Sequence, residues 1–128
     1  LEPEDAVKAL NVGADAIIVS NHGGRQLDQT SSTISMLPKI VEAVKGKSAI
    51  WLDGGIRSGQ DILKAVALGA DNTLIGRAMS YGLAANGISG CEKTLNILHT
   101  ELDMTMALCG HKNLKEVDDS VLKIENDF

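Results

Sequence analysis

The sequence predicts an α/β fold in which helices alternate with short parallel strands, and three observations carry that expectation. Apolar runs of strand length recur at 15–20, 48–53 and 71–75, with amphipathic segments of helical length before, between and after them. Each run ends in a polar or glycine-rich stretch, namely SNHGGRQ, DGG and GR. Gly-Ala-Asp followed by an apolar run occurs twice, as GADAIIVSN at 13–21 and GADNTLIGR at 69–77, so one βα unit is used repeatedly. Strands joined by intervening helices belong to a parallel sheet.

Taken in order, the elements read as follows. Residues 3–12 begin with Pro3, Glu4 and Asp5, a helix-start signal, and Gly13 closes the helix. Asp15 to Ser20 is a buried strand, and 21–32 a loop. Thr33 to Val44 carries apolar residues at 34, 37, 40, 41 and 44, the spacing of one helix face. Ser48 to Asp53 is a second strand, broken by Gly54 and Gly55, with Trp51 expected to pack towards the helices. Ser58 to Leu68 is a second amphipathic helix, closed by Gly69. Asp71 to Ile75 is a third strand, ended by Gly76. A short helical stretch at about 78–86 precedes a longer helix at about 90–109, with Leu95, Leu98, Leu102, Met106 and Cys109 as its apolar stripe and Met104 and Met106 as packing residues. Gly110 stops it, and 111–128 reads as a short helix at LKEV and a polar tail.

Composition narrows the function classes. A chain of 128 residues with net charge −5 has no basic surplus for gripping nucleic acid. No apolar run approaches the roughly 18 residues that span a bilayer, and no signal peptide is visible. Cys91 and Cys109 lack metal-type spacing, which suggests reduced thiols in a cytoplasmic protein. The chain starts at Leu1, so it reads as a processed chain or a piece of a longer one.

Two parallel architectures compete. A doubly wound sheet would put a phosphate loop after its first strand. Here chemistry follows the first strand, and glycine-rich loops follow the second and third. A (β/α)8 TIM barrel places catalytic groups at strand C-termini and often binds phosphate with the loops after strands 7 and 8 plus a short helix. The expected fold is therefore the C-terminal half, about strands 6–8 and their helices, of such a barrel, with residues 1–128 as that half. A whole barrel takes roughly 250 residues.

Ser20-Asn21-His22-Gly23-Gly24-Arg25-Gln26 resembles the active-site signature of the FMN-dependent α-hydroxy-acid oxidases and dehydrogenases, which include glycolate oxidase, L-lactate dehydrogenase and mandelate dehydrogenase. Asp53-Gly54-Gly55-Ile56-Arg57 and Gly76-Arg77 resemble that family's flavin-phosphate segments, and the stretch from Asp103 to Gly110 resembles a further family motif. The resemblance covers essentially the whole chain. It implies FMN as cofactor and oxidation of a small 2-hydroxy acid, L-lactate or glycolate in type, to the 2-oxo acid. It implies His22 as catalytic base and Arg25 as carboxylate clamp, both touching substrate. It places Ser20, Asp53, Gly54, Gly55, Arg57, Gly76 and Arg77 against FMN. It also implies partners upstream of Leu1: a lysine on the fifth strand near the flavin ring, tyrosines, another arginine and an aspartate that pairs with the histidine.

The chemistry agrees with these residue types. Removing a proton from a hydroxy acid suits a base titrating near neutrality, a flavin takes the electrons, and a planar guanidinium grips a carboxylate with two hydrogen bonds. A loop histidine is more often plain surface or a cap, and a loop arginine a solvated charge; their common place at a strand end sets His22 and Arg25 apart. A glycine pair usually marks a turn, but backbone N–H groups at strand ends and helix N-termini also bind anions, and Arg57 and Arg77 stand where they can neutralise a phosphomonoester. His99 and His111 read as surface or helix-end residues, and no metal site is expected.

Partners are expected to be the hydroxy acid and either identical subunits or the missing N-terminal half, with no nucleic acid. Oxygen, a quinone or a cytochrome all stay open as electron acceptor, and a quinone would place the protein at the inner membrane face. Two other readings compete. One is a truncated half-barrel without catalysis of its own that retains a phosphate-binding site. The other is a different phosphate-binding barrel enzyme such as an isomerase, which leaves His22 and Arg25 unexplained.

Overall fold

The computed structural model describes residues 1–123; residues 124–128 of the expected polar tail lie outside the described residues. The elements run α1 (Pro3–Asn11), β1 (Ala16–Val19), α2 (Thr33–Val44), β2 (Ala49–Asp53), α3 (Gly59–Ala67), β3 (Asn72–Leu74) and α4 (Arg77–Leu108). Single turns of 3-10 helix stand at His22–Gly24, Leu114–Glu116 and Asp119–Val121. Helix starts follow local chemistry. Ser32 accepts the Ser35 N–H at the head of α2, and Ser58 with Asp61 forms a reciprocal capping box at the head of α3.

The two Gly-Ala-Asp repeats fold into one turn used twice. After α1, Gly13 at φ 100° donates to the Leu10 carbonyl and Ala14 to that of Ala9. After α3, Gly69 at φ 99° donates to Val66 and Ala70 to Ala65. This is the Schellman arrangement, which needs a left-handed residue and therefore favours glycine. Each copy sends the chain directly into a strand.

The strands form one parallel sheet in the order β1-β2-β3, with Ile18 opposite Trp51 and Trp51 opposite Asn72. Alternation of side chains puts Val19, Ile50 and Leu52 on one face, where they join Ala6, Leu37, Ile40, Val44, Ile56, Ala65 and Ala70 in an aliphatic core. The helices lie on this face. The other face carries Ile18, 52% exposed, and Trp51, 37% exposed. The expectation that Trp51 packs towards the helices is thus corrected: its neighbours Ile50 and Leu52 take the helix face, and a period of two sends Trp51 to the opposite one.

α4 leaves helical geometry at Asn86 and Gly87, where the chain turns back, so its span holds the short and long helices expected from sequence. Its second limb packs on α3 through Leu102 and Met106, beside Leu63, Ala67 and Val117. Leu98 is buried too, whereas Leu95, Met104 and Cys109 are exposed. The expected stripe and methionine pair therefore hold at 98, 102 and 106 and fail at 95, 104 and 109.

Candidate functional site

The three strands end on the same side of the sheet, and so do the loops that follow them. A cleft of about 270 Å³ opens there, lined by His22 and Arg25 after β1, Asp53 at the end of β2 with Gly54, Gly55 and Arg57 after it, and Gly76 and Arg77 after β3. Among the sequence-chosen residues only Ser20 does not line it. Ser20 instead ties two of its lining residues together: its hydroxyl donates to Asp53 Oδ2 at 2.6 Å and accepts the His22 N–H at 3.1 Å. This links the first loop to the second strand.

Three successive residues, His22, Gly23 and Gly24, have φ values of 55°, 64° and 72°. Two glycines take this left-handed path without steric cost. Histidine does not, and a non-glycine residue held there commonly marks a functional site. The imidazole of His22 and the guanidinium groups of Arg25 and Arg57 make no hydrogen bond or ion pair among the described residues. They stand exposed at the cleft and available to a ligand. Arg77 reaches from the third loop to the first, with Nη2 donating to the Gly23 carbonyl at 3.4 Å.

The cleft suits a phosphomonoester at one end. A Cβ added at Gly55 or Gly76 would meet nothing within 4 Å, so on that side an anion can approach their backbone. Gly76 heads α4 without any capping side chain, leaving the first amides of that helix to a ligand. The head of α3 is different. Asp61 Oδ2 accepts the N–H groups of Arg57 and Ser58, each at 3.0 Å, and Glu101 Oε2 accepts that of Gly59 at 2.9 Å. That terminus is already filled by this chain's own carboxylates, which leaves Arg57, Arg77, the glycine backbone and the head of α4 as the groups that could take an anion. These residues fit the phosphate of FMN, which they would hold between the second and third loops.

Two further residues shape the site: Thr33, which the sequence marked only as a helix start, and Asn21, which it marked only as a member of the first loop's motif. Thr33, 4% exposed at the head of α2, donates to the Gly54 carbonyl at 3.3 Å. Asn21 Nδ2 donates to the Ser31 carbonyl at 3.3 Å and closes the base of the first loop. A serine or threonine at a helix start reads as a cap, and the partner of Thr33 is 21 residues away. His99 is exposed on α4 and His111 half-buried beyond it. Among the described residues no cluster of three or more His, Cys, Asp and Glu could hold a metal, and no helix is long and apolar enough to cross a membrane.

Residues 1–124 match the family model described as FMN-dependent dehydrogenase. A peroxisomal (S)-2-hydroxyacid oxidase of Arabidopsis thaliana is 47% identical over 127 residues, and the match takes in 99% of this chain and 35% of that protein. An L-lactate oxidase of Nostoc is 48% identical over 124 residues, covering 97% of this chain and 34% of that protein. A mandelate oxidase variant solved with a monooxide FMN adduct superposes with a TM-score of 0.86 at 48% identity, over 89% of this chain and 36% of that one. The chain thus spans about a third of the length of these relatives.

Proposed function

This chain belongs to the FMN-dependent dehydrogenase family, whose related members are 2-hydroxyacid oxidases and lactate oxidases, and on that premise we propose that it forms the last three βα units of a (β/α)8 barrel oxidising a 2-hydroxy acid of lactate or glycolate type to the 2-oxo acid. The observation that carries the proposal is the cleft in which three consecutive strand ends bring His22, Arg25, Arg57 and Arg77 together. Architecture supports it as well. A sheet that advances in one direction with its helices on one face has the topology of a barrel wall, whereas a doubly wound sheet reverses order and is covered on both faces.

Each residue then has a task. Arg25 grips the substrate carboxylate with its planar fork and so fixes the orientation of the 2-carbon in the cleft. His22, held in a strained backbone conformation on the same loop, takes a proton from the substrate. Ser20 and Asp53 hold the His22 backbone in place through their shared hydrogen bond. Arg57 and Arg77 neutralise the cofactor phosphate, and the open amides of Gly76 and the head of α4 complete its cradle. Bound FMN supplies the two-electron acceptor.

The remaining βα units of the barrel, or further copies of the chain, would cover the open sheet face and edges. The isolated 128-residue piece is expected to keep the phosphate end of the site without turnover. The test is 2-hydroxy-acid-dependent dye reduction by the FMN-loaded full-length protein, against His22→Ala. Loss of a general base costs about 10²–10⁴-fold in rate, with flavin retained as judged by the visible spectrum. Near-normal turnover in the variant would remove His22 from the mechanism.

A further inference from the structure

Glu101 lies on the returning limb of α4, 42 residues from its partner and outside the cleft lining. Its carboxylate accepts the N–H of Gly59, the first residue of α3. The two helices touch backbone to backbone there: a methyl group on Gly59 would run into the Leu102 nitrogen and the Glu101 carbonyl carbon. A second close approach lies further along the same helix. A methyl group on Gly90 would run into the Gly82 carbonyl, so the returning limb of α4 also abuts the outgoing limb, which starts at Arg77. The chain therefore holds a continuous bracket from Arg57 through Gly59, Glu101, Gly90 and Gly82 to Arg77. Both ends of the bracket are the arginines of the phosphate cleft.

We propose that Glu101 is a positioning residue for the phosphate clamp. It sets the start of α3, and with it Arg57, against the helix system that begins at Arg77. It also fills the head of α3, so that an incoming phosphate is directed to the head of α4 and the space between the two arginines. What both tasks require is an acceptor oxygen for the free N–H groups of the helix start, and the charge of a carboxylate adds to its hold there. The inference rests on the flavin-phosphate reading and adds to it a residue that touches neither substrate nor cofactor.

The test compares FMN with riboflavin, which lacks the phosphate, by quenching of flavin fluorescence on the full-length protein and its variants. Wild type should bind FMN more tightly than riboflavin. Glu101→Ala should weaken FMN by about tenfold or more, the scale of a hydrogen bond to a charged group, while riboflavin binding changes less than about twofold. Glu101→Gln keeps an oxygen that accepts from Gly59 and should restore most of the FMN preference. Should Glu101→Ala fail to fold, Glu101→Asp carries the same test, since it keeps the charge and loses the reach. An unchanged preference for FMN in the Ala or Asp variant overturns the positioning role, as does equal loss for FMN and riboflavin or a Gln variant as weak as Ala. If wild type itself binds FMN no better than riboflavin, the flavin-phosphate reading fails, and this role falls with it.

Discussion

The guanidinium of Arg25 lines the cleft without a hydrogen bond or ion pair among the described residues. A cation so placed is available to an anionic substrate. Arg25→Lys keeps the charge and loses the two-pronged donor, so kcat/KM for 2-hydroxy acids should fall by about 10- to 100-fold, the equivalent of roughly 1.5–3 kcal/mol of charge-assisted hydrogen bonding. Unchanged kcat/KM across a set of 2-hydroxy acids would rule out the clamp. At this scale the sequence was informative where function depends on residue type at a strand end. His22, Arg25, Asp53, Arg57 and Arg77 stood out because the motifs that hold them resemble one family's signature, and all five line one cleft. Thr33 and Glu101 did not. Each acts on a backbone group in another βα unit, and nothing in a one-dimensional pattern links Thr33 to Gly54 or Glu101 to Gly59.

Elements were legible wherever one local rule decided them. The repeated Gly-Ala-Asp predicted a repeated turn because a Schellman ending needs a left-handed residue. The two limbs of α4 were legible from the interruption near Gly87. What the pattern could not supply was how far α3 reaches along α4. Leu95 lies beyond that contact and Cys109 at the very end of the helix, so both are exposed although both fit the helical spacing. The tight turn of α4 depends on two residues without side chains. Gly90→Ala would force its methyl group onto the Gly82 carbonyl, a backbone group that cannot swing aside. Overpacking of this kind costs about 1–3 kcal/mol, and the urea midpoint should fall accordingly. Gly76→Ala meets open space and should shift the midpoint much less. Equal midpoints for Gly90→Ala and wild type would mean that the two limbs do not touch as described.

Among the described residues the sheet is covered on one side only. β1 and β3 each pair with β2 alone among the described strands, which leaves two unpaired edges, and Ile18 and Trp51 lie on the face without helices. Unpaired edges and exposed apolar faces favour association, and a closed barrel has neither. The isolated chain should therefore elute above its mass of 13.5 kDa and show no 2-hydroxy-acid oxidation. Trp51 gives this expectation a local readout, because it is the only tryptophan in the sequence and sits in the middle strand of the uncovered face. If the open face is the inward wall of a barrel, adding the remaining βα units must bury the indole, and its emission must move to shorter wavelength. The same shift should appear on self-association at rising concentration if a second copy covers that face. Association through the strand edges alone would raise the mass and leave the emission in place. A monodisperse, active monomer with Trp51 still solvent-exposed would contradict the half-barrel, since the chain would then need nothing beyond its own three strands to complete the site.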